Sequence, residues 1–531
     1  MKNIKYILLT LVTTIIFTGC TDDFDELNTD QTSLTEDTID LSTIGLIFAQ
    51  SHYSAMAHTP LGPVSFYPWR FQTAQTLFPD LYVQYFATTA SYFESDTNVI
   101  VGAWNGFTWE SFYSYCAPQL KFFEDFTAEN DLPVENAIGK IWKVFAYNRT
   151  TDFYGPIPFT EYGNGETSVA YDSQETVYKT SFGILDEAVA VLKSNTNATT
   201  IISNSDGIYS GDPAKWLTFA NTLRLRMALR IRYADPALAQ FEAEKAIADG
   251  VMENNSDNAM LYTNGSSSKN GLNVVTAWGE FRMAAAMESV LKGFDDPRLP
   301  EMYSPAANGD GDGDGIPYEG ILNGQTVADR SDAALDFNGS SSNMGFRFLP
   351  DQVGAGTPIR IMRASEAYLL RAEGALAGWN MGGTAQSLYE SGINTSLDEW
   401  GTADASYVNS TNTPAPVGNR FNTPALSDTP VAYDDSASTE EQLEQIMTQK
   451  WIALYPDSWE SWADVRRTGY PTLYSRLISA NPDAPVDFVM RRMTFVSREY
   501  ELNTDAVNAA IALPEMTGGD KGSTKLWWDK K

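Results

Sequence analysis

Cysteine and histidine are almost absent from this chain of 531 residues, which contains two of each. The histidines, His52 and His58, lie in no nucleophile motif, and this argues against a Ser-His-Asp or Cys-His triad. Zinc-protease, Cys-x-x-Cys and phosphate-loop motifs are missing too. We therefore expect a binding protein and not an enzyme, although the 68 acidic residues leave a carboxylate-pair glycosidase open as an alternative.

Positive charge is also scarce. The 36 lysines and arginines stand against 68 acidic residues, so the formal net charge is −32. A field of this sign repels nucleic acids and anionic lipid headgroups. We predict no nucleic-acid partner, and we favour neutral or cationic ligands or divalent metal ions.

Long apolar runs are missing as well. The longest one near the N-terminus, residues 6–17, is shorter than the roughly 20 residues that a transmembrane helix needs. It follows Lys2 and Lys5 and ends at a Thr-Gly pair before Cys20, which is the pattern of a lipoprotein signal peptide. We predict that residues 1–19 are cleaved and that Cys20 is acylated, so that lipid provides the only attachment to a membrane. Secretion without lipid and an uncleaved anchor helix are the alternatives.

The rest of the chain divides into an acidic tether, residues 20–42, and one domain, residues 43–531. Apolar residues of the domain recur at spacings of three and four, which is typical of amphipathic helices, and loop-rich insertions interrupt the pattern near 254–344 and 402–436. Once Cys20 is acylated, Cys116 has no disulfide partner, and we expect it to be buried. The predicted helices are Leu81–Phe93, Thr108–Phe126, Glu135–Asp152, Ser173–Lys193, Pro213–Tyr233, Val275–Lys292, Ile359–Gly378, Ala385–Glu399, Thr439–Leu454 and Asp457–Arg467.

Charged side chains on these helices are expected to be structural. A charge beside an apolar helix face is tolerated only when it is paired. We therefore predict partners of opposite charge, and no anion site, for these residues: Arg224, Arg226, Arg230, Arg232, Arg371, Glu373, Arg466 and Arg467.

An ordered set of motifs runs along the whole chain. Its members are Thr151–Pro158, Lys215–Trp216, Phe219–Asn221, Asp296–Arg298, Pro358–Met362, Glu366–Glu373, Gln449–Pro456, Trp462–Asp464, Arg466–Pro471 and Trp527–Trp528. Together they resemble the SusD-like (SusD/RagB) outer-membrane lipoproteins of Bacteroidota, and within them the second SusD-like subgroup.

The resemblance implies a mostly α fold, with tetratricopeptide-like helix pairs as scaffold and a loop-rich ligand-binding face. It also implies a surface lipoprotein of the outer membrane that faces the cell exterior, captures glycans and delivers them to a SusC-like TonB-dependent transporter. The acidic run Asp22–Glu26 is similar to the surface-export signal of such lipoproteins. A peptide-capturing relative of the RagB type is the alternative.

Tryptophans in loops are the candidates for contact with a glycan. Neutral sugars stack their apolar CH faces on flat aromatic rings and bond their hydroxyls to polar side chains. Packing in the core is the alternative for each tryptophan. The candidates are Trp69 and Arg70 in an N-terminal loop, Trp104 and Asn105 in a loop ahead of a helix, and Trp278 at the start of a helix.

An Asp/Gly-rich loop, residues 308–319, fits the calcium-loop template. Oxygen-bearing residues occupy positions 1, 3 and 5 of the template, a glycine occupies position 6 and a glutamate position 12. We predict a structural calcium ion here, against the alternative of a flexible acidic turn. The candidate ligands are Asn308, Asp310, Asp312, Asp314 and Glu319.

Overall fold

The computed structural model describes residues 39–58, 68–263, 269–349, 357–418 and 420–531. The predicted signal peptide, Cys20 and most of the predicted tether lie outside these ranges, so the anchor stays a prediction. Gly45–Lys531 form one compact unit. No helix among the described residues is long and apolar enough to cross a membrane.

Helices dominate the described residues. In chain order they are α1 (Ile44–Ala55), α2 (Pro68–Phe71), α3 (Pro79–Tyr82), α4 (Gly102–Tyr113), α5 (Ala117–Glu129), α6 (Pro133–Tyr154), α7 (Gln174–Lys193), α8 (Pro213–Arg230), α9 (Pro236–Asp249), α10 (Gly271–Val275), α11 (Ala285–Gly293), α12 (Leu299–Met302), α13 (Val327–Ser331), α14 (Phe337–Ser340), α15 (Ala364–Leu376), α16 (Ala385–Trp400), α17 (Thr439–Leu454), α18 (Ser458–Thr468), α19 (Ser497–Leu502) and α20 (Thr504–Ile511). The mostly α fold that the sequence predicts is confirmed.

Four short strands form two antiparallel pairs among the described residues: β1 (Phe86–Thr88) with β3 (Phe281–Met283), and β2 (Ala259–Leu261) with β4 (Ile359–Met362). In the first pair Phe86 lies opposite Met283. This pair holds the segment before α4 against the segment before α11. It therefore brings together two regions that lie far apart in the sequence.

Helix starts follow their local capping chemistry. The side chain of Ser173 accepts a hydrogen bond from the Thr176 amide at the start of α7. Asp212 accepts two amide hydrogen bonds at the start of α8, where Pro213 takes the first helical position. Both starts agree with the sequence prediction.

The long helices pack mainly on their neighbours in the chain. Successive helices from α5 to α9 contact one another, and α15 contacts both α16 and α17. Helix α8 also packs on α15 and so joins the two groups. Short connections favour such antiparallel neighbours.

Charged side chains on the packed helices are paired with groups of opposite charge, as the sequence predicts. The guanidinium of Arg226 binds both carboxylate oxygens of Glu366, at 2.5 and 2.7 Å. Arg230 reaches Asp152 at 3.1 Å. Further buried or half-buried pairs are Arg224 with Glu242, Arg232 with Glu373, Arg371 with Glu253, Arg467 with Glu373 and Asp464, and Lys450 with Asp464. An anion site on these arginines is therefore excluded.

Arg466 differs from the other arginines named above. It donates to the backbone carbonyls of Asp152 and Arg491, both at 2.7 Å, and its guanidinium lies 3.7 Å from the centre of the Trp462 ring. Burial lowers the pKa of Arg466 to about 9. Cys116 is fully buried, as expected.

Several predicted helix boundaries are wrong. The predicted helix Leu81–Phe93 contains only the last residues of α3 and then β1, because this segment pairs with β3 instead of continuing its helical hydrogen bonds. The predicted helix Val275–Lys292 is interrupted by β3 for the same reason. Helix α9 follows an Asp235 cap that the sequence analysis missed. In both segments, strand pairing with a distant part of the chain replaces the helix that the local periodicity predicts.

Candidate functional site

Trp104 lies within α4 and not in a loop, so that prediction is wrong. The helix begins two residues earlier, at Gly102, and continues through Trp104 to Tyr113. The Trp104 ring is half-buried and meets the edge of Phe93, with ring centres 5.6 Å apart. Part of the Trp104 ring therefore packs against Phe93, and the rest is exposed at the surface.

Trp69 and Arg70 lie in the short helix α2, where the sequence analysis expected a loop. The Trp69 ring packs edge-on against Phe107 of α4, with ring centres 4.6 Å apart. The Arg70 guanidinium is buried, lies 3.2 Å from Glu110 and sits 5.0 Å from the centre of the Tyr115 ring. Arg70 therefore ties α2 to α4 and is a positioning residue for Trp69.

Asn105 is not available to a ligand, which corrects its proposed role. Its side chain is buried, and its amide nitrogen donates to the backbone carbonyl of Thr494 at 2.7 Å. The hydroxyl of Tyr154 donates to the Asn105 carbonyl at 3.1 Å. These bonds hold α4 in place.

Trp278 ends a helical turn and does not open one, so this prediction is also wrong. It closes the 3-10 turn Thr276–Trp278 that follows α10, and Gly279 then turns the chain into β3. The Trp278 side chain is 40% exposed. The hydroxyl of Thr89 donates to the Gly279 carbonyl at 2.8 Å, and this bond fixes the turn behind the ring.

Tyr92 is a surface aromatic residue that the sequence analysis missed. Its side chain is 64% exposed, and its hydroxyl donates to the carboxylate of Glu280. The hydrogen bond to Glu280 raises the pKa of Tyr92 to about 12. The amide of Gln72 donates to the other Glu280 oxygen at 2.6 Å. Glu280 thus fixes the orientation of an exposed ring.

These contacts bring the tryptophans together in one region of the surface. Tyr92 packs edge-on against Phe93 with ring centres 4.6 Å apart, and Phe93 contacts Trp104. Trp104 and Phe107 lie one turn apart on α4, and Phe107 carries Trp69. Trp278 is two residues from Glu280. We call this surface the aromatic face: Trp69, Tyr92, Trp104 and Trp278, with Glu280 and Gln72 as its polar members.

The sequence holds one signal that would have found Tyr92. The ring lies in a run rich in serine, threonine and aspartate, residues 88–97, whose composition is typical of a loop. The apolar spacing from Leu81 onward masked this signal, because it extended a helix through the run. Chemically, the aromatic face offers flat rings for stacking and a carboxylate that accepts hydrogen bonds.

The Asp/Gly loop gathers the carboxylates among its predicted calcium ligands into two groups that share Asp312. The side-chain amide nitrogen of Asn308 donates to Asp336 at 3.1 Å, and the role of Asn308 as a ligand stays a prediction. The carboxylates of Asp310, Asp312 and Asp314 lie within 4.8 Å of one another, as do those of Glu288, Asp312 and Glu319. Glu288, which belongs to α11, was not predicted.

A lysine ammonium lies among these carboxylates. Lys292 Nζ is 2.7 Å from Asp314 and 3.3 Å from Asp312. The same ammonium is 3.3 Å from the buried Glu288, one helical turn away on α11. The loop thus has an internal counter-ion, and calcium at the remaining carboxylates stays a prediction.

Replacing Lys292 by methionine tests that prediction. The variant should melt several degrees lower than the natural chain, because the buried Glu288 loses its counter-charge. Millimolar Ca²⁺ should restore most of the loss, because the same carboxylates can then hold the divalent ion. Thermal unfolding with and without Ca²⁺ measures both effects.

The matched control is Lys140→Met, whose partner Glu187 is exposed on α7. This control should melt close to the natural chain, with no response to Ca²⁺. A Lys292→Met protein that gains no stability from Ca²⁺ would rule out the calcium site.

The sequence and the fold of this chain match those of known proteins. Residues 26–529 match the SusD-like family, described as SusD and RagB outer membrane lipoprotein. A chitin-binding SusD homologue from Flavobacterium johnsoniae is 34% identical, with 92% of this chain and 98% of that chain covered and a TM-score of 0.82. A SusD homologue from Bacteroides vulgatus is 31% identical, with 92% and 98% covered and a TM-score of 0.82. One from Bacteroides thetaiotaomicron is 30% identical, with 93% and 99% covered and a TM-score of 0.79.

A comparison with curated proteins gave no match. The family match covers nearly the whole chain, and the structural matches cover nearly the whole length of each relative. The family match, together with a relative described as chitin-binding, supports a binding protein and not an enzyme, and the glycosidase alternative is set aside. The chain belongs to the SusD-like family of outer membrane lipoproteins.

Proposed function

We propose that this chain is a cell-surface lipoprotein that captures a neutral polysaccharide on its aromatic face. The observation that carries the proposal is the pair of exposed rings, Tyr92 and Trp278. The Tyr92 hydroxyl is bonded to Glu280, and the turn that carries Trp278 is held by the hydrogen bond from Thr89 to the Gly279 carbonyl. Exposed large aromatic residues that are held in position mark binding surfaces. Rings fixed before binding lose little conformational entropy when a sugar stacks on them.

The proposed ligand class is a polymer of N-acetylated hexosamine. Support comes from the chitin-binding relative, which is 34% identical. The carboxylate of Glu280 can accept a hydrogen bond from an acetamide N–H or from a hydroxyl at the edge of the face. The net charge of −32 opposes acidic glycans.

The remaining parts of the proposal concern where the protein acts and with which partner. A lipid on Cys20 would anchor the chain in the outer membrane, with residues 20–42 connecting the lipid to the domain. We propose that the domain faces the cell exterior and passes its glycan to a SusC-like TonB-dependent transporter. Membership of an outer membrane lipoprotein family supports this placement.

Affinity electrophoresis tests the ligand. The purified chain is run in native gels containing soluble glycol chitin, a neutral glucan or an acidic glycan, and binding retards its migration. We expect retardation in glycol chitin and none in the acidic gel. Peptide capture is the second candidate, so a peptide mixture is offered to the same protein in a calorimeter. Peptide binding without retardation by any glycan would overturn the proposal.

A further inference from the structure

A concave surface lies along α4. Its volume is about 660 Å³, and its walls come from α4, from α19 and from the segment that contains Pro158 and Val169. This volume falls within the roughly 300–1,000 Å³ of small-molecule sites in proteins. We call this surface the α4–α19 groove.

The groove is lined by rings and rimmed by polar groups. Phe107, Tyr113 and Tyr162 are half-buried along it, and Trp109 lies beneath them. Hydroxyl, amide and carboxylate groups on the rim are Ser114, Thr167, Ser497, Asn503, Glu110 and Glu499. A mixture of flat rings and convergent hydrogen-bonding groups is the lining that a sugar chain requires.

Hydrogen bonds hold the walls of the groove in place. The Tyr113 hydroxyl donates to the Pro158 carbonyl at 2.8 Å, which joins α4 to the facing segment. The Asn503 amide donates to the Val169 carbonyl at 3.0 Å, which joins the same segment to the end of α19. The groove therefore exists before any ligand binds, and binding requires no free energy to open it.

The groove is continuous with the aromatic face. Phe107 lines the groove, and its ring also packs against Trp69 at 4.6 Å between centres. Trp104 lies one turn before Phe107 on α4. A polymer that lies on the aromatic face meets the groove when it extends past Trp69.

We propose that the α4–α19 groove is a second subsite, which binds the continuation of the glycan chain held by the aromatic face. This inference rests on the proposed function and adds to it that the protein selects long chains over short oligosaccharides. Two linked subsites on one polymer make the second contact intramolecular, which raises the affinity without a change at the first subsite.

Filling the groove from its α4 wall tests the inference. Gly106 lines the groove, and a Cβ added there meets no atom within 4 Å, so Gly106→Phe starts a bulky side chain from open space on the groove wall. Gly183 of α7 is equally open and exposed, lies outside the groove and provides the matched control Gly183→Phe. Ala103→Phe is a second blocking variant at an exposed position of the same wall.

Calorimetry of the full chain with the trimer and the hexamer of N-acetylglucosamine gives the readout. The natural chain and Gly183→Phe should bind the hexamer about tenfold more tightly than the trimer. Gly106→Phe and Ala103→Phe should bind both with the affinity that the natural chain has for the trimer.

The possible results separate the two proposals. Equal affinities of the natural chain for trimer and hexamer would overturn the subsite and leave the aromatic face standing. A hexamer advantage that survives both blocking variants would also overturn it. No binding of either sugar, together with no retardation by any glycan, would overturn both proposals.

Discussion

Replacing Arg467 by methionine should lower the free energy of unfolding by about 3–5 kcal/mol. The guanidinium is fully buried, binds Glu373 of α15 and lies 3.0 Å from Asp464. Methionine fills most of the space but leaves both carboxylates with less positive charge than their burial requires. Chemical denaturation at neutral pH measures the change through its midpoint, at constant dependence on denaturant.

The control for this experiment is a surface ion pair. Lys121 and Asp125 are exposed neighbours on α5, so Lys121→Met should leave the unfolding curve almost unchanged. A similar small effect for Arg467→Met would show that Arg232, which also binds Glu373, compensates for the loss. The expectation that Glu373 and Asp464 depend on the charge of Arg467 would then be wrong.

The sequence predicted that these charges are paired, but not which groups pair. Arg226 and Arg230 stand beside apolar positions of α8, and a charge in that place needs a partner by general solvation arguments. Their partners Glu366 and Asp152 come from α15 and α6, far away in the chain. Only the packing of whole helices decides that choice.

The same limit applies to the candidate site. Trp69, Trp104 and Trp278 were selected from their residue type, and the structure places them in one region. Their local settings were predicted wrongly, because β1 pairs with β3 and moves the loop that carries Tyr92 onto Glu280. A hydrogen bond between two residues that lie 188 positions apart has no trace in local spacing.

The acidic loop shows how a neighbour in space changes a local motif. The spacing of Asp310, Asp312 and Asp314 indicates a calcium loop when the segment is considered alone. In the fold, α11 adds Glu288 and Lys292 to the same group. The motif predicted where the charges gather, but not that one of the gathered charges is positive.

Removing the two exposed rings of the aromatic face should weaken binding of the glycan by about two orders of magnitude. We expect each of Trp278→Ala and Tyr92→Ala to weaken binding about tenfold and the double variant about a hundredfold, because each ring loses its stacking contact. Both side chains are more exposed than the half-buried Trp104, so the melting temperature should fall less than for Trp104→Ala. Trp104→Ala is the poorer test, because Trp104 packs against Phe93 and its loss would leave a cavity in the fold.

Phe241→Ala is the matched control, since Phe241 is an exposed ring on α9 and not part of the aromatic face. Retardation in glycol chitin should be unchanged for this variant and lost for the double variant. Glu280→Gln gives a finer readout, because its one carbonyl oxygen can still accept the Tyr92 hydroxyl, while the negative charge and the acceptor for the Gln72 amide are lost. It should keep the retardation in glycol chitin and weaken the discrimination against acidic glycans. A double variant that migrates like the natural chain in glycol chitin would place the ligand elsewhere.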